Sequence, residues 1–173
     1  MSKKIGYDNL AKFKIIGGGY MSRITDIFLV DTAEQEAIAI HSKVSVAEIP
    51  AIIGEGFMKL EEYIKSKGIV SSDTPFLQII GIDPNAIEIT AGMEVPTTVH
   101  GNGKIEDFLI PAGKKIFCYW QGDNSEMSPL YEDMQSFAND LGYDIEEGFF
   151  EYHLNGPEYG TDKLLTKVVM LLK

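Results

Sequence analysis

Glu151 lies among aromatic residues, in the run Phe149-Phe150-Glu151-Tyr152-His153-Leu154. A carboxylate in an apolar surround is costly to ionise, and its pKa rises. Such a group suits a countercharge for a lipophilic cation, or a base that activates water. Strand alternation sets Glu151 on one face with Phe149 and His153. The same position also reads as an exposed glutamate on an amphipathic strand. Trp120 is the only tryptophan. It ends an apolar run just before a polar loop, where its ring can stack on an aromatic or cationic ligand. A core or rim tryptophan accounts for it equally well.

Four residues are candidate walls of one pocket: Glu151, Trp120, His41 and Gln78. Phe149 and Tyr152 complete the candidate ligand-binding set, with core packing favoured for Tyr152. Ordinary packing or strand-end polarity explains His41 and Gln78 nearly as well. His41, His100 and His153 lack metal-ligand spacing, so no metal and no cofactor is expected. Cys118 stands alone. It forms no internal disulfide, and no base partner marks it as a nucleophile.

Two similar sets of elements must position these residues. Ile24 to Val30 and Ala37 to His41 read as strands of a hairpin. Ile49, Ile52, Ile53, Phe57, Leu60, Tyr63 and Ile64 recur at helical spacing until Gly68. Pro75 to Ile82 is a strand stopped by Asp83-Pro84, and Ile87 to Val95 is another, with Gly92 as an expected bulge. The second half repeats the order. Phe108 to Ile110 and Lys115 to Trp120 form strands turned by Pro111-Ala112-Gly113. Pro129 opens a helix carrying Leu130, Tyr131, Met134, Phe137 and Ala138 to Gly142. Strands at 148–157 and 164–172 follow.

Gly68 and Gly142 end their helices 74 residues apart, and Phe57 then matches Tyr131. Core packing is the favoured role of both. An offset of 73 aligns Pro84 with Pro157 and makes Gln78 the counterpart of Glu151. An offset of 79 aligns His41 with Trp120. The expected fold is α+β: two tandem pseudo-symmetric β-α-β-β modules with antiparallel sheets, one main helix each, and a ligand groove between the halves. The first module spans 25–97 and the second 98–173, after an N-terminal extension at 1–24. The run Ile16-Gly17-Gly18-Gly19-Tyr20 in that extension lacks the spacing and lysine of a phosphate loop.

Composition bounds the partners. The 173 residues carry 15 Lys plus Arg against 26 Asp plus Glu, a net charge of −11. That balance argues against a direct nucleic-acid partner, which needs clustered cations. No apolar run reaches the length of a membrane span, and the N-terminus lacks a secretory apolar core. A cytoplasmic protein is expected.

The runs Pro111-Ala112-Gly113-Lys114-Lys115-Ile116-Phe117-Cys118-Tyr119-Trp120-Gln121-Gly122 and Phe150-Glu151-Tyr152-His153-Leu154-Asn155-Gly156-Pro157 resemble segments of the GyrI-like (gyrase-inhibitor-like) family. Thr166 to Leu172 resembles its closing strand. The resemblance extends over about residues 25–173 and implies an aromatic-lined drug pocket. The same module forms the effector-binding part of multidrug-sensing MerR- and AraC-type regulators, where a buried glutamate at the position of Glu151 meets a cationic ligand. Some stand-alone members hydrolyse cyclopropane-containing DNA-alkylating drugs. Trp120 replaces the family's usual His, and His153-Leu154-Asn155-Gly156-Pro157 departs from Tyr-Leu-Asn-Asp-Pro. No DNA-reading helix-turn-helix is expected in the first 24 residues. Three functions follow: a stand-alone binder of lipophilic cations or planar aromatics, a hydrolase of electrophilic drugs using Glu151 as catalytic base, and an acidic inhibitor of a DNA enzyme such as gyrase.

Overall fold

The structure is a computed structural model that describes residues 22–71, 74–81, 83 and 85–173. The glycine-rich run at 16–20, nearly all of the 1–24 extension, and the strand stop at Pro84 lie outside the described residues. Strands β1 (Ser22–Arg23), β2 (Phe28–Thr32) and β3 (Gln35–Val44) precede helix α1 (Ile49–Ser66). Strands β4 (Pro75–Ile80), β5 (Ile87–Glu94), β6 (Glu106–Ile110) and β7 (Gly113–Gln121) precede helix α2 (Ser128–Asp140). Strands β8 (Phe149–His153) and β9 (Leu165–Leu171) complete the chain. These strands form one antiparallel sheet in the order β1-β7-β9-β8-β4-β5-β3-β6, with β2 also on β7.

Neither expected hairpin forms. β2 pairs with β7, not with β3, and β6 pairs with β3, not with β7. The reason is in the links. A two-residue hairpin needs positive φ, which glycine or asparagine supplies. Ala33-Glu34 and Pro111-Ala112 offer neither, and proline fixes a negative φ. The chain therefore crosses from one end of the sheet to the other.

That crossing forces a curl. Three Cα steps of about 3.8 Å keep Thr32 and Gln35 within about 11 Å, although their strands lie near opposite ends of the sheet order. The second link runs beside the first, since Thr32 pairs with Gly113 and Gln35 with Ile110. The sheet thus has an enclosed inner face and an outer face. Phe76, Phe150, Ile110, Val169 and Leu171 fill the inner face, with Phe108, Phe117 and Tyr152 packed on them.

Both helices cover the outer face. Leu60 and Ile64 of α1 pack with Ile38 and Met93. Leu130, Met134 and Ala138 of α2 pack on Ile116, Cys118, Trp120, Val168 and Met170. Each helix ends in the same way. Gly68 and Gly142 have φ of 67° and 79°. Their N–H groups bond to Lys65 and Asn139, and the next N–H reaches back to Ile64 and Ala138. This is the Schellman motif, in which glycine adopts the left-handed region without a Cβ clash.

Gly92 is not a bulge. Its register is unbroken on both sides, opposite Ala39 and Phe76. A Cβ there would overlap the Phe76 ring. Glycine is required because an aromatic ring lies flat against the backbone.

Candidate functional site

β8 runs along the centre of the sheet, between β4 and β9. Its outward side chains, Phe149, Glu151 and His153, therefore face the space between the two helices. Glu151 sits opposite Leu77 and Val168, both buried. It is itself only 6% exposed. From α2, the Tyr131 hydroxyl donates to Glu151 Oε1 at 2.5 Å. The Tyr131 ring lies 4.7 Å from that of Phe149, centre to centre.

The electrostatics follow from this burial. Desolvation pushes the Glu151 carboxyl above its ordinary range, and the Tyr131 hydrogen bond draws it partly back. Burial, then the neighbouring Glu151 charge, raises the Tyr131 phenol, so Tyr131 remains a donor. Among the described residues, the pair is a poorly solvated acid held by one neutral donor. A ligand cation brought to it would recover charge that water does not supply.

His153 extends the same face. Burial lowers its pKa, and its Nε2 is buried with no hydrogen-bond partner among the described residues. It lines a cavity of about 510 Å³ with Pro50, Ile53 and Phe57 of α1 and with Pro75, Leu154 to Pro157 and Leu164. The Phe57 and His153 rings are 6.3 Å apart. The volume lies within the range of small-molecule sites. Among the described residues no group of His, Cys, Asp or Glu is placed to hold a metal.

The expected four-walled pocket does not form. Glu151 and Phe149 share the outer face, whereas Tyr152, Gln78 and His41 lie on the inner face. Gln78 and His41 flank Thr90 there, and His41 Nδ1 is 2.6 Å from the Thr90 hydroxyl. Tyr152 donates to Glu94 at 2.9 Å. Trp120 does reach the outer face, but it is 6% exposed in the core beneath α2. Tyr119, not Trp120, turns to the inner face. The physical reason is strand alternation: Gln78 and His41 share the face of Phe150 and Thr90, one residue out of step with the face of Glu151. The observed register sets Leu77, not Gln78, opposite Glu151 across the β4–β8 pair, and Gln78 opposite Phe150 on the inner face.

Tyr131, expected in the core, packs against the α2 cluster and also brings its hydroxyl to Glu151. A hydroxyl-bearing ring at the helix position matched by Phe57 was the available signal.

A single curled antiparallel sheet with two helices on one face, and an acid buried between them, belongs to the α+β small-molecule-binding domains. The chain is a member of the GyrI-like small molecule binding domain family, whose model matches residues 25–173. No match among the curated proteins is found. Among solved structures, the EcmrR C-terminal domain is 15% identical with a TM-score of 0.70, covering 87% of this chain and 98% of that one. EcmrR in its complex with DNA gives a TM-score of 0.72 at 13% identity, covering 86% of this chain. This chain spans only 57% of that one. A hydrolase from Listeria innocua is 14% identical, with a TM-score of 0.64 and coverage of 85% and 91%. SAV2435 bound to tetraphenylphosphonium is 12% identical, with a TM-score of 0.55 and coverage of 86% and 94%. At these identities the likeness is one of fold. No described helix is long and apolar enough to cross a membrane.

Proposed function

We propose that this chain binds a lipophilic cationic or planar aromatic small molecule on the outer face, between α1 and α2. Glu151 supplies the countercharge. Tyr131, Phe149, Phe57 and His153 supply the walls. One observation carries this reading: a carboxylate buried in apolar surroundings has Tyr131 as its hydrogen-bond partner and, among the described residues, no cation beside it. The SAV2435 structure with tetraphenylphosphonium supports the ligand class for that protein. Two modules at 25–97 and 98–173, a cytosolic setting and no nucleic-acid partner belong to the same reading. Burial, with the Cys118 thiol pushed up to about 11, fits a structural cysteine.

Titration calorimetry with tetraphenylphosphonium tests it. Wild type binds the cation, and Glu151→Gln weakens binding by roughly thirtyfold or more, the scale of a lost buried charge partner. Equal affinity in both proteins would remove Glu151 from the site.

A second reading makes Glu151 a base. A carboxyl raised by burial is suited to take a proton from water near neutral pH. Multiple turnover of a cyclopropane-bearing alkylator, lost in Glu151→Gln, is its expected result. Product that stays stoichiometric with protein would end it.

A further inference from the structure

A second cavity, of about 540 Å³, opens on the inner face beside the two links. Phe117, Phe150, Val169 and Leu171 give it an apolar floor, and its polar groups include Lys115, Lys167, Glu94 and Tyr152. Lys115 is the unusual member. It is only 7% exposed, yet none of the ion pairs among the described residues includes it. A buried ammonium without a close partner is costly.

The surrounding charges leave that cost uncompensated. Glu94 attracts Lys115, but its carboxylate already accepts the Tyr152 hydroxyl. Lys167 repels Lys115, and its Nζ lies 4.8 Å from the Phe117 ring centre and 5.3 Å from that of Tyr152. Asp31 alternates to the other face and pairs with Lys114 at 3.5 Å. Glu34 also lines the cavity, but from the link, where it is exposed. Over the apolar floor two ammonium groups thus meet one engaged carboxylate, while the cavity's other two acids, Asp31 and Glu34, are exposed at the links, in a chain with a net charge of −11. Thr32 Oγ1, on the same wall, is buried with no hydrogen-bond partner among the described residues.

We propose that this inner cavity is a second small-molecule site, selective for a lipophilic organic anion: a carboxylate or sulfonate on an aromatic or aliphatic body. The anionic oxygens accept from the Lys115 and Lys167 ammonium groups and from Thr32. The body covers Phe117, Phe150, Val169 and Leu171. The site is of opposite charge preference to the one at Glu151 and lies on the other side of the sheet. It stands whether or not the outer site binds cations.

Calorimetry with anilinonaphthalene sulfonate as the probe decides the matter. Wild type binds one probe per chain, laurate displaces it, and excess tetraphenylphosphonium does not. Lys115→Met weakens the probe by roughly thirtyfold, and Lys115→Arg restores most of the loss. If Lys115→Met fails to fold, Lys167→Met and Glu94→Gln carry the test. The first weakens binding, and the second tightens it by removing the competing carboxylate. No binding to wild type, displacement by tetraphenylphosphonium, or indifference to Lys167→Met and Glu94→Gln would each overturn the proposal.

Discussion

The Tyr131 hydroxyl on α2 and the Glu151 carboxylate on β8 are joined by a 2.5 Å hydrogen bond from helix to sheet. It ties the helix to the centre of the sheet at the point where the outer-face acid is least solvated. Tyr131→Phe leaves that acid without its donor. The expected loss of stability is about 1–3 kcal/mol, the cost of an unsatisfied buried polar group. Urea unfolding at neutral pH measures it. An unchanged midpoint would mean that water replaces the phenol.

Glu151 also sets a pH dependence. Its folded-state pKa lies above the ordinary 4.5. The unfolded chain releases the proton first, so the folded state binds more protons over that interval. Stability from this group is complete below pH 4.5 and is lost as pH rises through the folded-state value. Glu151→Gln removes that loss, so its melting temperature gains on wild type as pH rises. Parallel melting curves from pH 4.5 upward would contradict the buried acid.

His153 works in the opposite direction. Burial depresses its pKa below the ordinary 6.5. The unfolded chain takes up a proton first as the solution is acidified, so stability falls below pH 6.5. His153→Asn flattens the melting temperature over that range. A variant that remains as acid-sensitive as wild type would place the effect elsewhere.

Trp120 is a core residue whose buried indole N–H has no partner among the described residues. Trp120→Ala costs about 3–5 kcal/mol, whereas Trp120→Phe costs less because it removes the orphan donor and keeps most of the ring. Folded Trp120→Phe retains its affinity for tetraphenylphosphonium. Native stability with lost binding would return Trp120 to the ligand site.

Gly92 and Phe76 form a coupled pair. Gly92→Ala places a methyl against the ring and costs about 1–3 kcal/mol of overpacking. Phe76→Leu relieves the clash, so the double variant is less destabilised than the sum of the two single ones. Strict additivity in a double-mutant cycle would refute the contact.

Local elements were legible because their causes are local. Gly68 and Gly142 stop the helices with their own backbone conformations, and apolar spacing marks the faces of α1 and α2. The sheet order was not legible from alternation, which says that a segment is a strand but not which strand lies beside it. The absence of glycine and asparagine at Ala33-Glu34 and Pro111-Ala112 was the overlooked cue against hairpins. The acid at Glu151 was visible through its aromatic neighbours. Its donor was not, since only tertiary packing brings Tyr131 across to β8. Gln78 and His41 fall on the inner face because alternation in a strand reverses with each residue, and nothing in the sequence marks which face the fold encloses.

The two short links have a consequence for the order of folding. β2 must wait for β7, more than eighty residues later, before it gains a pairing partner. β6 finds β3 already in place, but β7 is incomplete without β9. On the ribosome, the early strands therefore emerge long before their neighbours, and contacts of such sequence separation close slowly. The Phe28-Leu29-Val30 segment is the stretch most exposed to misassembly in that interval. A chaperone-trapping or limited-proteolysis assay on stalled chains would find it accessible until the end of β9 is synthesised.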